Sequence, residues 1–142
     1  MGGAPSTGSS LLVNMLDRHS DLSAGPETYL FIHPRLFKDW PRYRRFLLRT
    51  SKTAYGWSPP ALAQLIEASS DLPAFARSFL AGRKEAAGAK SWVEKSPANA
   101  ITFPQFLQRF SDARVIHTTR NPYDTAASLV ARGHSPYQAA GA

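Results

Sequence analysis

Residues 3–10 read GAPSTGSS, and the reading of this octapeptide decides the fold. Gly3 and Gly8 stand five apart, the spacing of the phosphate-binding loop G-x-x-x-x-G-K-[ST], but Ser9 occupies the place of the lysine. The two glycines allow tight backbone curvature, and the amides of Thr7, Gly8, Ser9 and Ser10 would converge at a helix N-terminus. Aligned peptide dipoles there favour a dianion, and the Ser9 and Ser10 hydroxyls add donors. A plain Gly/Ser/Pro turn before a helix cap is the competing reading. The missing lysine argues against an ATPase or kinase, where that charge contacts the transferred phosphoryl group.

Around this loop the sequence alternates strand and helix signals. Residues 9–19 place Leu11, Leu12, Met15 and Leu16 at helical spacing, and 20–25 read as a turn and a short strand. From 26 to about 70 the pattern is helical and broken by prolines. Asp71 followed by Pro73 marks a helix start. Residues 89–97 hold a short strand centred on Trp92 and Val93, and 98–110 a helix interrupted at Pro104. Residues 113–120 carry the β-branched run of a further strand. The stretch 121–133 has Asn121 at a cap, Pro122 in the first turn and Gly133 past the end of a helix.

Two strand–turn–helix units around a helical middle predict an α/β fold: a P-loop-like parallel sheet flanked by helices, with a helical cap over about 34–88. Ligands in such sheets lie outside the carboxyl ends of the strands, where both 3–10 and 118–122 fall. The expectation is a single, truncated domain over 1–142. Only Met1, Gly2 and Gly3 stand where a buried strand should lead into the loop, and 134–142 carry no packing signals.

Composition narrows the partners. The 142 residues are 43% hydrophobic, enough for one modest core, and 17 basic residues against 10 acidic give a net charge of +7. That surplus favours an anionic partner. Without cysteine there is no disulfide and no thiolate metal site. No basic leader with an apolar run opens the chain, and no stretch is long and apolar enough to span a bilayer, so a cytoplasmic chain is expected. Between 35 and 52 stand Arg35, Lys38, Arg42, Arg44, Arg45, Arg49 and Lys52 against Asp39, interleaved with Trp40, Tyr43, Phe46 and Leu47. This tract reads as a solvated helix face, an acceptor-side wall, or a nucleic-acid surface, the last not favoured.

At the far end, Arg120 closes a strand and Ser128 follows two helical turns later. An Arg fork and a Ser can together hold a second phosphate. Alternatively Arg120 pairs with Asp124 and Ser128 is merely small. Taken together, the two ends resemble the PAPS-dependent sulfotransferases, whose donor is 3′-phosphoadenosine-5′-phosphosulfate. Their loop P-[RK]-[ST]-G-[ST]-[ST]-x-L is matched by Pro5, Thr7, Gly8, Ser9, Ser10 and Leu12. Their R-[ND]-P-x-D-x-x-x-S motif is matched by Arg120, Asn121, Pro122, Asp124 and Ser128. The resemblance covers about 3–37 and 90–133, closest in style to tyrosylprotein-type and bacterial members.

It implies PAPS as co-substrate, no required metal, and a small-molecule, glycan or peptide acceptor bearing a hydroxyl or amine. The loop residues Ser6, Thr7, Gly8, Ser9 and Ser10 would hold the 5′-phosphosulfate, and Arg120 with Ser128 the 3′-phosphate. Glu27, in SAGPETYLF, resembles the family's G-x-E-T base; the alternative is a first-turn glutamate serving a helix dipole. Lys95, in WVEKSPAN, resembles the lysine of [EN]-K-[ST]-P that approaches the transferring group; the alternative is a solvated strand-end lysine. Glu94 should face away from it. His19 and His33 are fallback bases, His19 more simply ending a helix, and His117 reads as a buried, satisfied histidine. Ser6 departs from the family's usual Arg or Lys. That departure keeps two other classes open, a different phosphate-loop enzyme and a non-catalytic nucleotide binder.

Overall fold

The computed structural model describes residues 1–32 and 55–141. His33, the basic tract of 35–52 and the part of the expected cap up to residue 54 lie outside the described residues. The elements are β1 (Gly2–Gly3), α1 (Ser9–Leu16), β2 (Leu22–Ala24), α2 (Pro59–Ala68) and α3 (Leu72–Ala86). They continue with β3 (Ser91–Val93), α4 (Asn99–Arg109), β4 (His117–Thr118), α5 (Pro122–Val130) and α6 (Pro136–Ala140). The class is α/β, as the alternation of signals predicts.

All strand pairing is parallel among the described residues. β2 pairs with β3, Ser23 opposite Trp92, and β1 pairs with β4, Gly2 opposite His117. Backbone bonds join the two pairs: Met1 N donates to Glu94 O at 2.7 Å, Ser96 N to Met1 O at 3.3 Å, and Gly3 N to Pro97 O at 2.9 Å. The resulting order is β2–β3–β1–β4, with β1 inside. β1 can lie that close to β4 only as glycine. A Cβ on Gly3 would sit 2.2 Å from Thr118 O.

The helices form where the sequence caps them. Asp71 is extended (φ −153°), and its carboxylate accepts from Ala74 N at 2.8 Å, with a proline in the first turn of α3. Leu72, Phe75, Ala76, Phe79 and Leu80 then fall on one face and are buried. Ser58 caps α2, whose Leu62 and Ile66 meet that face, and Trp57 Nε1 donates to Phe79 O at 3.0 Å. Each buried Phe or Leu here contributes roughly 1.5–3 kcal/mol. Phe31, just beyond β2, packs edge-on to Phe106 and Phe110 at 4.9 and 5.7 Å, tying α4 to the same core.

Four expectations change. α4 runs unbroken through Pro104. Pro104 is exposed, and the stacking of Phe106 on Phe110 at 4.7 Å, both against Phe31, offsets the lost amide bond. The strand expected over 113–120 pairs only at His117 and Thr118. His117 is exposed rather than buried, because two-residue β4 leaves its outward face uncovered; its ring meets Phe103 edge-on at 6.0 Å. Finally, 134–142 does carry packing signals. Ser135 and Gln138 form a reciprocal capping box, and Ala139 of α6 is buried.

Candidate active site

The 3–10 turn leaves β1 and enters α1 through two left-handed residues, Ser6 (φ 66°) and Gly8 (φ 87°). Gly8 is the N-cap of α1 and has no side chain, so no side-chain acceptor occupies the helix's first amides. Thr7 Oγ1 donates to Ala4 O at 2.8 Å and lies 2.8 Å from Thr118 Oγ1. The turn is thereby fixed to the end of β4. Ser6 Oγ is buried with no hydrogen-bond partner among the described residues.

Glu27 and Lys95 come together, though 68 residues separate them. Their carriers are clamped by Glu94. Glu94 Oε1 accepts from Thr28 N (3.1 Å), Thr28 Oγ1 (2.7 Å) and Ser96 Oγ (2.7 Å), and Oε2 accepts from Asn99 Nδ2. Ser96 Oγ in turn accepts from Tyr29 N at 2.9 Å. A carboxylate this buried, 3% exposed, is tolerated because its oxygens are satisfied. The clamp seats 27–29 on 94–96. By strand alternation Lys95 then faces the opposite way from Glu94, as the sequence predicts.

Lys95 is 4% exposed, which removes the reading of a solvated strand-end lysine. Its ammonium pairs with Glu27 Oε1 and donates to Ser10 Oγ at 3.4 Å. Lys95 thus bridges the 3–10 turn and the carboxylate. Glu27 lies in no helix, so it is no first-turn residue serving a dipole. Its Oε2 accepts from Tyr29 OH. Tyr29 is held at φ 53°, which for a bulky residue costs on the order of 1–2 kcal/mol and here turns the phenol back toward Glu27. That hydrogen bond, then burial, pushes the Tyr29 phenol up to about 12, so it stays a donor throughout the neutral range.

Arg120 reaches the same turn from β4. Its Nη1 donates to Ser6 O at 3.3 Å, and its Nε lies 3.9 Å from Asp124 Oδ2. Of the two alternatives for this residue, the pair with Asp124 is the one formed in the ligand-free chain. Asn121 caps α5 through Tyr123 N, and Ser128 is half-buried two turns along that helix. His19 is exposed in the turn after α1, its Nδ1 accepting from Asp21 N at 3.1 Å. His19 and His117 both lie outside these contacts.

Sequence reasoning misses Glu94 as the clamp, and Tyr29 and Thr118 as supports. The run E-K-S-P carries a signal for Glu94, since a carboxylate one position from a buried lysine faces the other side of the strand. No local signal announces a left-handed tyrosine.

Among the described residues no helix is long and apolar enough to cross a membrane. No curated protein and no solved structure matches the chain. The family model described as "Sulfotransferase family" matches residues 1–140, nearly the whole length. With parallel strands delivering the 3–10 turn, Lys95 and Arg120 to one edge of the sheet, the chain belongs to the sulfotransferase family.

Proposed function

We propose that this chain moves a sulfuryl group from PAPS to a hydroxyl or amine acceptor by in-line transfer. The observation that supports the reading is the contact between Arg120 Nη1 and Ser6 O, which brings the Arg120 guanidinium against the 3–10 turn. A donor with a 5′-phosphosulfate and a 3′-phosphate needs two anion sites within one nucleotide's reach; a triphosphate does not. In this reading the amides of the 3–10 turn and the Ser9 and Ser10 hydroxyls hold the phosphosulfate, and Arg120 with Ser128 holds the 3′-phosphate.

The acceptor oxygen attacks sulfur, the bond from sulfur to the bridging oxygen breaks, and 3′-phosphoadenosine 5′-phosphate leaves with the electron pair. Charge accumulates on that bridging oxygen, and the Lys95 ammonium supplies the neutralising hydrogen bond. Glu27 takes the acceptor proton. Lys95 and Glu27 are paired in the ligand-free chain, so donor binding must draw Lys95 toward the turn and free the carboxylate. Ser10, already 3.4 Å from Lys95 Nζ, lies on that route.

Ser6 supports a second reading, a donor-binding chain without transfer, because no basic side chain in the turn faces the leaving oxygen. Calorimetry with 3′-phosphoadenosine 5′-phosphate against ATP–Mg²⁺, beside transfer from labelled PAPS to a panel of alcohols, phenols, amines and glycans, separates the readings. A preference for the 3′-phosphate with transfer abolished in Glu27→Gln supports the enzyme. Binding without transfer leaves the second reading, and tighter binding of ATP removes both.

A further inference from the structure

Glu27 lies between two backbone groups that are each held, Pro26 O before it and Thr28 N after it. The Glu94 clamp accounts for the second. The first belongs to a separate set of contacts, made by residues that the proposed chemistry does not use.

Among the described residues β2 pairs on one side only, with β3. Ser91 N donates to Asp21 O, so Asp21 and Ser23 bond toward β3 and, by alternation, Leu22 and Ala24 turn their backbone groups outward. Leu22 N is met by His19 O at 3.0 Å. Ala24 is met by side chains. Asp17 Oδ1 accepts from Ala24 N at 2.6 Å, and Arg83 Nε donates to Ala24 O at 3.0 Å. Arg83 Nη2 donates to Asp17 Oδ2 at 3.3 Å, which closes a ring of three residues. Two positions further on, Tyr55 OH donates to Pro26 O at 2.8 Å. Burial holds the Tyr55 phenol well above its usual range, so it remains a donor.

Asp17 is not placed for the good of its own helix. It closes α1, where a carboxylate meets the negative end of the peptide dipoles. Its pair with Arg83, in the last turn of α3, is partly exposed at 39% and 35%, so charge pairing alone fixes little. What the pair gains is both hydrogen-bonding groups of Ala24, met as a neighbouring strand would meet them. The chain therefore leaves β2 for Glu27 along a fixed path.

We propose that Asp17, Arg83 and Tyr55 are positioning residues for Glu27. They hold 24–26, Glu94 holds Thr28, and the carboxylate between them is kept where it meets Lys95 and Tyr29 OH. The consequence for rate rests on the reading of Glu27 as the base of the proposed transfer; the consequence for geometry does not. A displacement of about 1 Å at a reacting group can cost up to ~100-fold in rate. A role confined to covering the edge of β2 would cost stability and leave the contacts of Glu27 as they are.

The test compares Arg83→Ala and Tyr55→Phe, which release different backbone oxygens, with Arg77→Ala. The last removes the same charge from the same helix but breaks a pair with Asp112 instead. Arg83→Ala and Tyr55→Phe are each expected to lower kcat for transfer from labelled PAPS about tenfold, with affinity for 3′-phosphoadenosine 5′-phosphate within about twofold. In both, the Tyr29 phenol, followed by carbon-13 NMR at Cζ, should titrate below its value of about 12 and toward 10, because Glu27 no longer sits against it. Arg77→Ala should change neither readout. A Tyr29 titration that matches the parent chain in both variants overturns the proposal, and so does a loss confined to affinity with kcat intact. A parent chain that transfers nothing removes the proposed function instead, and the Tyr29 titration still decides whether these residues position Glu27.

Discussion

The two sides of the 3–10 turn are built on different terms. On the β3 side, Lys95 is buried, its carboxylate partner is held by Tyr29, and the backbone carrying both is clamped by Glu94. On the β4 side, Arg120 keeps 45% of its side chain exposed, and its pair with Asp124 is long at 3.9 Å. An exposed pair of that kind contributes well under about 1 kcal/mol. The difference separates positioning from binding. The side proposed to act on the reacting atoms has its backbone clamped before any ligand arrives, leaving only the Lys95 side chain to shift from Glu27, whereas the side proposed to hold a remote phosphate relies on the ligand's own charge to order it.

The hardest way to break the contrast is at the clamp. Glu94→Ala strips the acceptors from Thr28 N, Thr28 Oγ1, Ser96 Oγ and Asn99 Nδ2 together. Each buried donor left unmet costs about 1–3 kcal/mol, so a loss of roughly 3 kcal/mol or more is expected in urea unfolding. Glu94→Gln, which keeps the shape, should lose clearly less. A change below about 1 kcal/mol in Glu94→Ala would mean that the clamp is not what holds 27–29 to 94–96. Next comes Lys95→Ala. If Lys95 meets the leaving oxygen, transfer should fall about 100-fold or more while affinity for 3′-phosphoadenosine 5′-phosphate stays within a few-fold. Equal losses in both would place Lys95 in donor binding instead.

How far this was legible in the sequence follows the same division. Loop spacing, caps and apolar periodicity are local, and they place α1, α3, α5 and the turn correctly. Glu27 and Lys95 were singled out by resemblance, and Glu27 meeting Lys95 across 68 residues is a long-range outcome of the Glu94 clamp that no local pattern states. Two local signals mislead when taken without their surroundings. Pro104 breaks a helix in isolation but not one anchored by Phe106 and Phe110. The β-branched run at 113–120 has strand propensity throughout, yet a strand exists only where a neighbour supplies the ladder, at His117 and Thr118.

The looser side is sharpened by Arg120→Ala. With so exposed a side chain, stability should move by less than about 0.5 kcal/mol. Affinity for 3′-phosphoadenosine 5′-phosphate should nevertheless drop about tenfold or more, the worth of a charge-assisted hydrogen bond to phosphate. Affinity for adenosine 5′-phosphosulfate, which lacks the 3′-phosphate, should change far less. Equal losses for the two ligands would show that Arg120 acts through the 3–10 turn, via Ser6 O, rather than on the remote phosphate.

At neutral pH the smallest expected effect is at Tyr29, and its sign is fixed by the hydrogen bond to Glu27. A phenol raised from 10 to about 12 in the folded chain binds its proton more tightly than in the unfolded chain. The stability it lends is fully present below pH 10 and is lost as pH climbs toward 12. Glu27→Gln removes the negative charge that the phenolate would face, so the Tyr29 titration should move down toward 10. The alkaline loss of stability should flatten with it. Carbon-13 labelling of tyrosine at Cζ reads this phenol by NMR without any need for donor, acceptor or turnover. If Tyr29 titrates identically in the two proteins, the phenol does not lean on Glu27, and the preorganised side of the site loses one of its supports.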